Sequence, residues 1–378
     1  MELNRNEQRI TLDGTDYSRE DIHRLVAEMV GETITETTTE TPTMLRELYL
    51  FLEDWFSDSP LMTVQTSGST GKPKLLTVRK EQMMQSARTT CEVLNLRAGD
   101  TALLCMPLAY IAGKVMVVRA LVAGLNLIVR TPSGHPLAGV SEKIRFAAMV
   151  PLRVYNTFDV AEELKRLRRV GVLIIGGGMI NPHFDQKIMS LPGEVYATYG
   201  MTETLSHIAL CRLNGDHTDR ITYYPLPGVK LSISSKGTLK IDAPLVCDEV
   251  LTTNDVAEIG SDGGFIVLGR KDTTINSGGI KMQPELMEGW LQNALPMPFV
   301  FTSIPDERLG EAVVMLVEGT MDIGSIRSLV AAELPTKYSL PKWIIPVTKV
   351  PLTGYGKINR AACKALARTM LDAKIAFS

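Results

Sequence analysis

A run of small and hydroxylated residues, TSGSTGKPK at Thr66–Lys74, offers backbone N–H groups, hydroxyls and a closing cation to an anionic ligand. Within it Thr66, Ser67, Gly68, Ser69, Thr70 and Gly71 form the concave part and Lys74 brings charge. Glycines let backbone approach a phosphate closely. The stretch is not a Walker A loop, because Gly68 and Gly71 are too close together and Lys72 is followed by Pro73. By itself it is open to two readings, a phosphate cradle and a plain loop. Four further clusters could serve the same ligand. YGMTET at Tyr199–Thr204 sets the hard carboxylate oxygen of Glu203 beside the Thr202 hydroxyl, a pairing suited to Mg²⁺ and phosphate, or to an ordinary polar turn. TTND carries Asp255, whose carboxylate can accept from both hydroxyls of a ribose or cap a turn. Gly269–Glu288 supplies Arg270, Asp272 and the pair Gly278–Gly279, with an interdomain linker and hairpin as the plain alternative. PLTGYGKINR places Lys357 in a glycine-flanked loop, able to meet developing negative charge or to sit in a solvated turn.

These clusters need elements to hold them, and the hydrophobic pattern supplies a regular set. The first sixty residues read as helical, with apolar spacing over Asp21–Val30 and Thr43–Trp55. Strand patterns then alternate with helical ones. LMTVQT runs into the Gly/Ser loop, and strands follow at Thr101–Pro107, Asn126–Thr131, Phe146–Pro151, Val170–Gly178 and Glu194–Gly200. Helices fall at Arg79–Leu94, Gly113–Ala123, Val160–Arg168 and Pro182–Leu191. This rhythm predicts an α/β layered fold with a parallel sheet. After about Leu213, Gly/Pro turns separate short alternating strands, which predicts an antiparallel β subdomain over about 214–269. Beyond Arg270 a mixed pattern predicts a small α+β domain. The expected division is an N-terminal domain 1–271 and a C-terminal domain 272–378.

Composition bounds the function. The 378 residues are 45% hydrophobic and 22% charged, ordinary for a globular protein. A net charge of −2 gives no basic field for nucleic acid, and KRLRR at Lys165–Arg169 reads as a solvated helix face. Five scattered cysteines without C-x-x-C spacing argue against a disulfide framework and a zinc site. The polar N-terminus has no signal-like apolar core, and the apolar stretch Val115–Leu127 is broken by Arg119 and Gly124. A cytoplasmic protein without stable membrane insertion or nucleic-acid partner is expected.

The order and spacing of the five clusters together, from Leu61 to the C-terminus, resemble the adenylate-forming superfamily of acyl-CoA synthetases, luciferases and peptide-synthetase adenylation domains. That resemblance implies ATP, Mg²⁺ and CoA as cofactor and co-substrates, a small carboxylic acid as substrate, and a two-step reaction. Acyl-adenylate and pyrophosphate form first, then a CoA thioester and AMP. It implies that Thr66–Lys74 holds the outer phosphates, Thr202 meets the α-phosphate, Glu203 holds Mg²⁺, and Lys357 bridges acid and α-phosphate. Gly176, Gly177, Gly178, Tyr199, Gly200 and Met201 would line the nucleotide site, with Asp255 and Arg270 at the ribose. Asp272 would be the hinge for rotation of the C-terminal domain, and Gly278 and Gly279 would line the CoA tunnel.

Three departures stand out. The sequence ahead of the phosphate loop is short, so part of the usual N-terminal lobe is missing. The motif P-L-[FY]-H-x-x-G appears as MPLAYIAGK, with Tyr110 at the His position. Leu75 replaces the glycine usual after the loop lysine. Compact length and YGMTETLSH are most similar to the short bacterial o-succinylbenzoate–CoA ligases of menaquinone synthesis, whose substrate has a second carboxylate. Tyr110, Lys114 and His207 are the candidates for the acid pocket, although Lys114 also reads as a surface lysine and His207 as a core histidine. Other aryl- or acyl-CoA ligases, a carrier-loading adenylation enzyme and a non-catalytic nucleotide sensor stay open, as does a homodimer covering exposed sheet.

Overall fold

The computed structural model describes residues 5–31, 43–65, 75–178, 185–215, 221–292, 294–319, 322–353 and 358–376. The chain opens with a hairpin, β1 (Ile10–Leu12) and β2 (Thr15–Tyr17), followed by helices α1 (Arg19–Gly31) and α2 (Thr43–Phe56). The hairpin corrects the all-helical reading of this region. Its strands are too short to print a period of two, and β1 is held by a strand far along the chain, so local pattern could not find it. The two helices match their apolar spacing; Leu48, Phe51, Leu52 and Trp55 of α2 are buried on one face.

Next come β3 (Leu61–Gln65), β4 (Leu75–Arg79), α3 (Lys80–Val93), β5 (Thr101–Leu104), α4 (Ile111–Ala123), β6 (Asn126–Val129) and β7 (Phe146–Met149). They continue with α5 (Pro151–Phe158), α6 (Ala161–Leu167), β8 (Val172–Ile175), α7 (Asp185–Met189), β9 (Glu194–Gly200), β10 (His207–Arg212) and β11 (Tyr224–Pro225). β3 and β4 form a separate antiparallel ribbon whose open end is the pair Gln65–Leu75. Thr66–Lys74, the predicted phosphate loop, joins those two ends and lies outside the described residues.

The principal sheet has nine strands in the order β11-β10-β9-β8-β7-β5-β6-β1-β2. Every pairing from β9 across to β1 is parallel. β10, β11 and β2 add antiparallel margins. The central strands β7 and β8 are buried along their whole length, as strands covered on both faces must be. The α/β layered class expected from the sequence is therefore present.

A four-stranded antiparallel sheet follows, made of β12 (Lys230–Ile233), β13 (Thr238–Asp242), β14 (Leu251–Ile259) and β15 (Phe265–Arg270). Its own apolar cluster joins Leu239, Ile241 and Phe265 to Ile208 of β10. The remaining chain forms a third sheet from β16 (Ile275–Ser277), β17 (Ile280–Met282), β18 (Phe299–Asp306), β19 (Gly310–Glu318) and β20 (Trp343–Val347), with α8 (Pro284–Leu291), α9 (Ile323–Glu333) and α10 (Arg360–Ala376). Alternation in β19 feeds two cores. Val313, Met315 and Val317 face one, with Met287 of α8 and Ile326 of α9; Val314 and Leu316 face the other, with Cys363 and Ala367 of α10. β18 and β20 were not anticipated: each carries a proline, Pro305 and Pro346, that weakens a strand pattern in sequence. Among the described residues no helix is long and apolar enough to cross a membrane.

Candidate active site

The topology gathers the predicted residues before any side chain is considered. The chain leaves β5 to add β6 on one side and β7 on the other, so the sheet changes direction between β5 and β7. Ligands of open parallel sheets bind beyond the carboxyl ends of the strands near such a point. Tyr110 follows β5, Gly176–Gly178 follow β8, and Gly200–Glu203 follow β9. β10 runs antiparallel to β9, so His207 at its start returns to the same edge.

The turn after β9 is built tightly. A Cβ on Gly200 would lie 2.2 Å from the Ser206 carbonyl oxygen and 2.5 Å from the His207 Cα, so only glycine lets the chain double back there. Residues Thr202–Thr204 make one 3₁₀ turn, and Leu205 adopts φ 64°, a left-handed conformation that costs a leucine energy and clusters at functional turns. Thr204 pins the turn: its buried hydroxyl accepts the Met201 N–H at 3.1 Å and donates to the Ser206 carbonyl at 2.8 Å. Glu203 is thereby held outward and exposed, with no hydrogen bond or ion pair among the described residues. One free hard carboxylate suits Mg²⁺, which takes one or two protein carboxylates and completes its shell with phosphate and water. A dedicated cage of three or more metal-binding side chains is absent among the described residues.

Tyr199, Asp255 and Arg270 form a connected group. The Tyr199 hydroxyl donates to Asp255 Oδ2 at 2.6 Å, and Arg270 NH1 lies 3.4 Å from Asp255 Oδ1. β14 and β15 fix this geometry, since Asp255 pairs directly with Arg270 across the antiparallel ladder. Burial, and then the Asp255 charge, drives the Tyr199 pKa far upward, so the phenol stays a donor. The ring packs edge-on to Phe265 at 5.1 Å and beside Tyr223. Arg270 also grips Asp272, with Nε to Oδ1 at 2.9 Å and NH2 to Oδ2 at 3.2 Å. That hydrogen bond is the main cause of a raised Arg270 pKa.

A second group was missed by sequence reasoning. Arg119 of α4, read there as an interruption of an apolar stretch, is fully buried. Its NH2 donates to Ser206 Oγ at 2.8 Å, NH1 faces Met116 Sδ at 3.4 Å, and Nε has no partner. Among the described residues no carboxylate pairs with it, and burial lowers its pKa to about 10. His207 lies alongside, with Nε2 3.2 Å from Thr90 Oγ1 and Nδ1 3.4 Å from Ser206 Oγ. Burial, reinforced by the Arg119 charge, holds its pKa well below the usual value and keeps it neutral. His207 also lines a small, open cleft whose walls include Ile208, Leu226, Val229, Ala243 and Val246. The signal available in sequence was a lone charge within an otherwise apolar helix.

The other predicted residues fall as follows. Lys114 does not line that cleft: Nζ donates to the Thr63 carbonyl at 3.1 Å and sits over the Phe51 ring. Burial, only partly opposed by Asp54, lowers its pKa. Tyr110 caps the start of α4 in extended conformation and is half-buried. Gly176 packs on Thr198, whose Oγ1 would stand 2.2 Å from an added Cβ; Gly177 and Gly178 follow at the strand end. Gly278 and Gly279, at φ 59° and 84°, are the two-residue turn of the β16–β17 hairpin, where both must be left-handed. Lys357 lies outside the described residues.

The profile of the AMP-binding enzyme family matches residues 19–245. A 2-succinylbenzoate–CoA ligase of Lactococcus lactis is 24% identical over 331 residues, covering 82% of this chain and 72% of that protein. An acyl-CoA synthetase (AMP-forming)/AMP-acid ligase II-like protein from Dyadobacter fermentans has a similar structure at TM-score 0.59 and 31% identity, covering 87% of this chain and 95% of the other. The fold is also that of the o-succinylbenzoate coenzyme A synthetase from Bacillus subtilis, solved in complex with ATP and magnesium ion, at TM-score 0.69 and 19% identity over 79% of this chain and 68% of the other. With the family profile spanning most of the chain and the site gathered at the sheet's carboxyl edge, this protein belongs to the family of AMP-binding enzymes.

Proposed function

We propose that this enzyme is an ATP-dependent acid–CoA ligase whose acid carries a second carboxylate, with o-succinylbenzoate the substrate that fits best. The observation that carries the reading is the fully buried Arg119, which has no carboxylate partner among the described residues and donates to Ser206 Oγ, beside His207 at the edge of a partly apolar cleft. A buried cation without an anion is costly, and a substrate carboxylate would relieve that cost. The apolar walls suit an aromatic ring.

In the first step the reacting carboxylate attacks the α-phosphorus of ATP, the bond to the bridging oxygen breaks, and pyrophosphate leaves. Asp255 accepts from the ribose hydroxyls while Tyr199 and Arg270 hold that carboxylate in place. Thr202 donates to an α-phosphate oxygen, and Lys357 offsets the two anions brought together. Glu203 would hold Mg²⁺, which supplies neutralisation of phosphate charge. In the second step the CoA thiolate attacks the acyl carbon and AMP departs. Residues 272–378 would then turn about Asp272, bringing Gly278 and Gly279 beside the pantetheine arm.

The test is pyrophosphate release and thioester formation with ATP, Mg²⁺, CoA and a panel of acids. The expected result is thioester from o-succinylbenzoate at the highest kcat/KM. Preference for a monocarboxylate would overturn the acid assignment. Pyrophosphate without a CoA product would point to a carrier protein as acceptor, and neither product with any acid would indicate a nucleotide sensor.

A further inference from the structure

Arg360 opens α10 between two buried glutamates of α8. Its NH1 and NH2 donate to Glu288 Oε1 and Oε2, both at 2.6 Å, in a fork. NH2 also lies 3.4 Å from Glu285 Oε1, and NH1 donates to the Phe301 carbonyl at 3.2 Å. Glu288 accepts the Phe301 N–H at 2.8 Å as well, so α8, β18 and α10 meet at one guanidinium.

From there the network runs to the nucleotide residues. Glu285 accepts from Thr273 Oγ1 at 3.0 Å. The Thr273 hydroxyl shares its one proton between Glu285 and the Arg270 carbonyl, which lies 2.9 Å away, the Thr274 hydroxyl donates to that carbonyl at 3.1 Å, and Arg270 is the partner of Asp255. The start of α8 also presses on β15: a Cβ on Gly269 would stand 2.7 Å from both Gln283 Oε1 and Glu285 Oε2. In the other direction Arg360 follows a closed loop base. Leu352 bridges Ile358, and the Asn359 N–H donates to the Pro351 carbonyl at 2.9 Å. Lys357 belongs by sequence to the segment between those anchors.

An apolar cluster of the same volume would hold α8 to α10 at least as well as one arginine between two buried carboxylates. What the charges add is direction, because a planar guanidinium fork fixes the first turn of α10 in one orientation. We propose that Arg360 is a positioning residue that sets the anchors Pro351, Leu352, Ile358 and Asn359 against the Asp255–Arg270 group, and so fixes the base from which Lys357 would act in the proposed first step. This rests on the role given to Lys357 above.

The test compares the wild-type enzyme with Arg360→Lys and with the double variant Glu288→Leu/Arg360→Met. Melting temperature, amide hydrogen exchange at Asn359 and Cys363, and o-succinylbenzoate-dependent pyrophosphate–ATP exchange are measured. The double variant is expected to melt close to wild type, to lose protection at Asn359, and to lose about 10²-fold in kcat with KM for ATP little changed, as misplacement by about an ångström would do. Arg360→Lys should fall between. A double variant that keeps kcat, keeps Asn359 protection, or melts far below wild type overturns the positioning role. Absence of exchange activity in the wild-type enzyme would instead overturn the ligase reading, and the Asn359 protection would still decide the role of Arg360.

Discussion

Replacing Arg119 by Met separates substrate recognition from stability. The guanidinium donates to Ser206 Oγ at 2.8 Å. A substrate carboxylate accepting from the same hydroxyl would lie a further ~2.7 Å away. At roughly 5.5 Å and an effective dielectric of about 20, the attraction is about 3 kcal/mol, or on the order of a hundredfold in binding. Arg119→Met should therefore raise KM for o-succinylbenzoate by about two orders of magnitude. A benzoate without the second carboxylate should change by no more than about threefold. The same substitution removes a buried charge that has no carboxylate partner among the described residues, so the melting temperature should hold or rise. The assay is steady-state pyrophosphate release with both acids, beside a thermal melt. Equal losses for the two acids, or a melting temperature lowered by more than about 5 °C, would refute the reasoning and make Arg119 a structural residue.

The buried His207 is held neutral in the folded enzyme and has an ordinary pKa once unfolded. Its folded pKa is depressed, so the unfolded state binds the extra proton. Stability is full above about pH 6.5 and falls by up to about 1.4 kcal/mol per pH unit below it. His207→Gln should flatten that acid limb in urea melts at pH 5 to 7; an unchanged limb would sink the assignment. Gly200→Ala puts a methyl group against the backbone of Ser206 and His207, where no rotamer change can help. It should lower the melting temperature and abolish ATP binding in a fluorescent-nucleotide titration, and normal binding would contradict the tight turn. Asp272→Pro should slow thioester formation far more than adenylation, because it stiffens the proposed hinge. Asp272→Asn, which removes only the Arg270 pair, is the control, and equal loss in both half-reactions would refute the hinge.

What the sequence shows of this site follows from how each residue is specified. Asp255 and Arg270 sit opposite each other in one hairpin ladder, and Gly200–Glu203 follow a strongly patterned strand. Local chemistry and local structure coincide there, so motif and element are read together. Arg119 contributes nothing local. Its meaning comes from Ser206 and His207, brought to it by the return of β10 along β9, a strand that sequence patterning did not separate from its turn. Lys114 was suggested for the acid pocket by adjacency to a motif; tertiary contacts that the motif does not specify, the Thr63 carbonyl and the Phe51 ring, hold its side chain here. Strands β1 and β20 were hidden for the same reason as Arg119, since β1 is held by the distant β6 and β20 pairs in parallel with β19 across α9. The residues proposed for the nucleotide lie in contiguous motifs, whereas the charge proposed to choose the acid is set by tertiary contacts. On that proposal, acid specificity in such a chain rests on a buried charge brought in by tertiary contacts, outside the motifs proposed to bind ATP.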